Sequence, residues 1–132
     1  MSELTWQHRK HGDHEHDTMR FIAERLFVEA GYPIKDTSVF KSLYNMPCEP
    51  DLYSIVKERR IIGNTRTTVD VPVVVEFETH ATKQGNLLKQ RQYEEHVKGI
   101  RLYVLDLAEL DTDKVWQNWV WCERWLKERL PL

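Results

Sequence analysis

Apolar positions along the chain follow two different periods, and the changeovers between them mark the predicted elements. Over residues 17–30, Met19, Ile22, Ala23, Leu26 and Ala30 recur at helical spacing, with Phe21 and Val28 roughly opposite. This predicts a helix covered on two sides, capped by Asp17 or Thr18 and stopped by Gly31 with Pro33 beyond. The preceding stretch, residues 1–16, has no apolar period and reads as a polar, His-rich arm. Residues 32–47 hold short extended pieces and a turn-rich "NMP", and 50–58 alternate as a strand. Around Gly63-Asn64, residues 59–71 read as a hairpin or a long loop. The apolar run over 73–79 is the strongest strand, with Pro72 tolerable only at its first residue or on an edge. A helix over about 86–98 stops at Gly99, and residues 100–107 form a second buried strand. Strand, three-turn helix and strand together predict a parallel crossover unit. The C-terminal "DKVWQNWVWCERWLKERL" predicts an amphipathic helix with Val115, Trp116, Trp119, Cys122, Leu126 and Leu130 on one face. The resulting order is α-β-β-β-α-β-α: an α/β fold with a small mixed central sheet flanked by helices.

Composition narrows the setting rather than the chemistry. A length of 132 residues accommodates one domain, here 17–132 behind the arm 1–16. With 41% hydrophobic and 30% charged residues, the chain has the make-up of an ordinary globular protein and not of a disordered one. A formal charge of −2 gives no global attraction to nucleic acid, so any such binding needs a local basic face. Two cysteines, Cys48 and Cys122, are too few for a disulfide scaffold and point to a reducing cytoplasm. No stretch is apolar enough to span a membrane, and the polar N-terminus lacks a signal-peptide core.

The chemistry begins with an oddity in "VPVVVEFETHATKQGNLLKQRQY", residues 71–93. A strand apolar enough for the interior carries two acids, Glu76 and Glu78. Alternation puts both on one face with Val74, while Val73, Val75 and Phe77 take the other. A third acid, Asp51, opens the preceding strand, and if the two strands pair then Asp51 and Glu76 converge near one end. Two or three carboxylates plus a backbone carbonyl suit Mg²⁺ or Mn²⁺, because hard cations take oxygen ligands. The competing explanation for Asp51 is a turn residue after Pro50. For Glu76 and Glu78 it is an edge strand with one wet face; the apolar run ahead of them predicts a central strand instead.

An acid on the first helix, "PD" opening a strand, an acid pair on the next strand and then a helix bearing Lys and Gln resemble the PD-(D/E)XK nuclease superfamily. That group includes Holliday-junction resolvases and many restriction enzymes. The resemblance covers roughly residues 16–107 and implies a restriction-endonuclease-like fold and metal-dependent hydrolysis of phosphodiester bonds. Carried over by position, Pro50-Asp51 matches the PD motif, Glu76 the first acid of the second motif, and Glu24 in "FIAERLF" the helix-one glutamate. Asp51 and Glu76 would then bind Mg²⁺ or Mn²⁺ with the Phe77 carbonyl, and Glu78 would take a second ion or orient water. The chain departs from the pattern where the lysine belongs, two residues past Glu76, because Glu78 stands there. Lys83 and Lys89 are the candidates for a lysine that has moved to a neighbouring element. Lys89, Tyr93 and His96 lie along one helix face, bordered by Gln90. "EFETHATKQGNLLKQRQY" also resembles replication-relaxation proteins of mobile elements.

Three groups remain. His8, His11, His14 and His16 are closely spaced, but both cysteines are far away, so zinc logic favours a solvated arm. His16, at the mouth of the first helix, is the exception and a possible active-site group. Trp116 and Trp119 are expected in the core, with Trp121 and Trp125 on the flank as a homodimer surface. Arg59, Arg60, Arg66, Lys83, Lys89 and Arg91 are candidates for a basic face, with Lys83, Lys89, Gln90 and Arg91 nearest the acids. The expected function is a nuclease acting on DNA through Mg²⁺ or Mn²⁺. The alternatives are a non-catalytic DNA-binding or replication accessory protein on the same fold, and a dimeric interaction protein.

Overall fold

A computed structural model describes residues 3–79, 82–110 and 118–132, with side chains from residue 15 onward. Its elements are α1 (Glu3–Glu29), α2 (Thr37–Leu43), β1 (Leu52–Ile62), β2 (Thr65–Glu78), α3 (Lys83–His96), β3 (Arg101–Asp106), a 3₁₀ turn (Leu107–Glu109) and α4 (Trp119–Lys127). The architecture is mixed α/β, a three-stranded mixed sheet in the order β1-β2-β3 flanked by helices. β1 and β2 pair antiparallel from Leu52↔Val75 to Ile62↔Thr65, and β2 pairs parallel with β3 from Val73↔Arg101 to Glu78↔Asp106. Parallel strands cannot be joined by a tight turn, and α3 supplies the crossover between them.

Local chemistry explains the boundaries. Gly31, at φ +88°, ends α1: its amide reaches the Val28 carbonyl while the Tyr32 amide reaches Phe27, a paired closure that needs a left-handed residue. Gly63, at φ +64°, is the first residue of the two-residue hairpin turn, the position at which such a turn demands glycine. Thr82 caps α3 by accepting the Gly85 amide at 3.0 Å, and Asn118 caps α4 by accepting that of Trp121 at 3.0 Å. Pro72 lies one residue before β3 joins, where β2 is still an edge and a missing amide costs no ladder bond.

The sheet buries a different cluster on each face. Met19, Ile22, Leu26 and Phe27 of α1, with Cys122, Trp125 and Leu126 of α4, pack on Leu52, Val73, Val75 and Phe77. The opposite face is smaller, with Phe40 of α2 and Tyr93 and Val97 of α3 against Tyr53 and Val74. Ser54, fully buried, donates to the Pro33 carbonyl at 2.7 Å and ties the segment after α1 to β1.

Several expectations are corrected. Two strands, not three, precede α3, and the segment expected as short extended pieces folds in part as α2, leaving only an isolated Ile34↔Ser54 bridge. Asp36 decides that outcome by accepting the Ser38 amide as an N-cap. Of the two readings of residues 59–71, the hairpin holds. α1 begins within the segment read as an arm. Phe21 and Val28 are exposed, so α1 is buried on one side only. In α4 the tryptophan roles are reversed: Trp125 is buried and Trp119 is 40% exposed, because the true stripe is Cys122, Trp125 and Leu126. Val115 and Trp116 lie outside the described residues.

Candidate functional site

β2 is the central strand, and its C-terminal end carries Glu76 and Glu78 on the face that α3 covers. Extending the β1–β2 register by one pair sets Asp51 directly across from Glu76. The Asp51 carboxylate is fixed there by the Phe77 amide, which donates to its Oδ2 at 2.8 Å. Its other oxygen lies 3.2 Å from Nε2 of His16 on α1, whose ring packs edge-on against Phe77 at 5.7 Å. Glu76 is 9% exposed and accepts a hydrogen bond from the Tyr93 hydroxyl on α3. One turn earlier on that helix, Lys89 pairs with Glu78.

Electrostatics sets Asp51 and Glu76 apart. Burial pushes Glu76 up, the neighbouring Asp51 adds to the effect, and the Tyr93 hydroxyl opposes it only in part, leaving the carboxyl at about 7. Burial also raises Asp51, but bonds from His16 and the Phe77 amide outweigh it and hold that group below the usual carboxylate range. His16 is raised by its hydrogen bond to Asp51 against the cost of burial. Tyr93 is raised by burial and by donating to Glu76. The two neighbouring carboxyls are thus driven apart: burial and an acidic neighbour raise Glu76, while His16 and the Phe77 amide hold Asp51 down.

Among the described residues, no group of three or more His, Cys, Asp or Glu side chains is disposed to hold a metal ion. The donor set is the Asp51–Glu76 pair. Two carboxylates fit Mg²⁺ or Mn²⁺, which take one or two protein carboxylates and leave their remaining positions to water and phosphate oxygens. A cation bound between them would relieve the repulsion of the two carboxylates.

Compared with known proteins, the chain matches no family model, and no curated protein or solved structure gives a significant match.

Of the residues expected at the site, Asp51, Glu76, Glu78, Lys89 and His16 gather at this end of the sheet. Glu24 does not: it lies two turns beyond His16, about 12 Å along the axis at 1.5 Å per residue. There it lines a shallow hollow with Phe21, Arg25, Val28 and Ile34. The group that α1 sends to the acids is His16. Glu78 faces the same side as Glu76, but its partner is Lys89. Lys83 is exposed beside β3, in a concavity shared with Asp106, Glu109 and Arg129. Gln90 is bonded to Glu94 at 2.7 Å, and Arg91 is exposed. His96 caps the Tyr44 carbonyl at 3.0 Å instead of facing the acids. Arg59, Arg60 and Arg66 lie at the far end of the β1–β2 hairpin, so the expected basic face is split in two. Tyr93 is the site residue that the sequence placed on the right helix face without giving it a role; its i+4 spacing from Lys89 was the available signal.

Proposed function

We propose that the chain is a metal-dependent nuclease that hydrolyses phosphodiester bonds in DNA, on a restriction-endonuclease-like arrangement of the sheet. The observation that carries this reading is the meeting of the buried Glu76 and the half-buried Asp51 at the end of a central strand, with Lys89 reaching in from the facing helix. Asp51 and Glu76 would hold Mg²⁺ or Mn²⁺. That ion, when bound, supplies charge neutralisation at a phosphoryl oxygen and a lowered pKa for nearby solvent.

The protein's own groups have separable tasks. The Phe77 amide and His16 fix Asp51, so its oxygens need little reorganisation on binding a cation or phosphate. Tyr93 orients Glu76 and stabilises its ionised form. Glu78 holds the Lys89 ammonium beside the pair, where the cation attracts a phosphate and opposes negative charge that develops on it. Lys89 thus takes the place of the lysine that Glu78 displaces from the strand.

The test is cleavage of branched, duplex and single-stranded DNA with Mg²⁺ or Mn²⁺, comparing wild type with Asp51→Asn and Glu76→Gln after each is checked for folding. Metal-dependent cleavage lost in both variants is expected. DNA binding without cleavage would replace this reading with that of an accessory protein. Calorimetry showing no divalent-ion binding, together with a tight dimer, would make the chain an interaction protein.

A further inference from the structure

β3 supports β2 only from Val73 onward, so the distal part of the β1–β2 hairpin projects as a two-stranded ribbon, largely exposed on both sides. Such a ribbon is marginally stable alone, so its length needs a reason. Its charges are distributed unevenly. Near the base, Asp70 is held by Lys57 at 2.9 Å, and Glu58 by Arg101 at 3.0 Å and Arg60 at 3.4 Å. Arg59 beside them and Arg66 nearer the tip have no carboxylate partner among the described residues. Cross-strand pairing of Arg59 with Thr68 and of Ile61 with Arg66 puts these four on one side of the ribbon. Ile61 and Ile62 at the tip are 72% and 61% exposed.

We infer that this ribbon is a grip for duplex DNA, inserted into the major groove with Arg59 and Arg66 on the backbone phosphates and Ile61 toward the base edges. The inference rests on the proposal that the chain acts on DNA. The major groove of B-form DNA admits a two-stranded ribbon and offers thymine methyl groups to an apolar tip, whereas that of A-form RNA is too narrow. The ribbon's unmatched positive charge complements phosphate. Its charged side chains also disfavour a second copy pairing along the open edge of β1. Reach fits as well. From Asp51 to Ile62 the strand extends about 36 Å at roughly 3.3 Å per residue, close to one turn of duplex. The ribbon would therefore hold DNA about one helical turn from the acids.

The test measures anisotropy of a labelled duplex about three turns long, with the full-length chain in EDTA to prevent cleavage, as salt is raised from about 50 to 200 mM. Arg59→Ala/Arg66→Ala is expected to weaken binding and reduce the salt exponent by about 1.8, at roughly 0.9 per lost phosphate contact. Lys127→Ala, which removes an exposed cation on α4 outside the ribbon, should keep both affinity and exponent. An unchanged exponent in the double arginine variant would overturn the inference, as would equal binding of duplex RNA. So would a dimer abolished by Ile61→Asp with DNA binding intact. Ribbon-dependent binding by a wild type that cuts nothing would remove the nuclease proposal and leave the grip standing. Cleavage and binding that ignore both arginines would do the reverse.

Discussion

Neutralising Glu76 should change how stability responds to pH, by an amount that follows from the site. Its carboxyl titrates at about 7 in the folded protein, against an ordinary value of 4.5. The folded state therefore binds the proton more tightly than the unfolded chain does. Stability from this group is fully present below about pH 4.5 and is lost as pH rises through 7. A difference of roughly 2.5 pH units at 1.36 kcal/mol each gives a loss of about 3 kcal/mol. That is a large part of the 5–15 kcal/mol typical of a folded domain. Urea denaturation between pH 5 and 8, with divalent ions chelated, should show wild type weakening across this range and Glu76→Gln weakening much less. The residual slope would belong to His16, whose raised pKa acts in the same direction. Asp51, held below its ordinary range, contributes stability that is lost on the acid side instead. Mn²⁺ at about a hundred times its dissociation constant should return about 2.7 kcal/mol to wild type at pH 7.5 and little to the variant. A flat wild-type profile, or an identical slope in Glu76→Gln, would refute the reasoning.

Tyr93→Phe removes a donor to the ionised carboxylate, so the midpoint of the same stability profile should move to higher pH. Lys89→Met should lower DNA cleavage by roughly 100-fold, with Lys89→Arg recovering part of it if the positive charge is what matters. Trp125→Ala should cost about 3–5 kcal/mol in denaturation, since the ring is buried and carries the Arg129 guanidinium 4.0 Å from its centroid. Trp119→Ala, by contrast, should cost less than about 1 kcal/mol.

The acids were legible because their position depends on alternation along a strand, which is a local property. A run of valines required burial, "PD" marked a strand start, and pairing the two strands brought Asp51 to Glu76. The distal hairpin was less legible, since its exposed faces erase the apolar alternation that announces a strand. α2 was hidden for a similar reason: it is one short segment with a single buried residue, Phe40, and its start depends on the Asp36 cap. Glu24 was misplaced because motif order carries no information about which turn of α1 meets the sheet. That is decided by packing of Met19, Ile22 and Leu26, which brings His16 to the strand end instead. The tryptophans of α4 were misassigned because nearly every position on that helix offers apolar area, so periodicity alone could not choose the buried stripe.

The hairpin register has a consequence for how the chain tolerates changes in length. Glu76 and Asp51 meet because equal numbers of residues separate each from the Gly63-Asn64 turn. Lengthening or trimming the tip by one residue on each strand preserves that meeting. A single unmatched residue below the tip would rotate Glu76 and Glu78 into the valine layer and bring Phe77 out in their place. Viable insertions here should therefore come in twos.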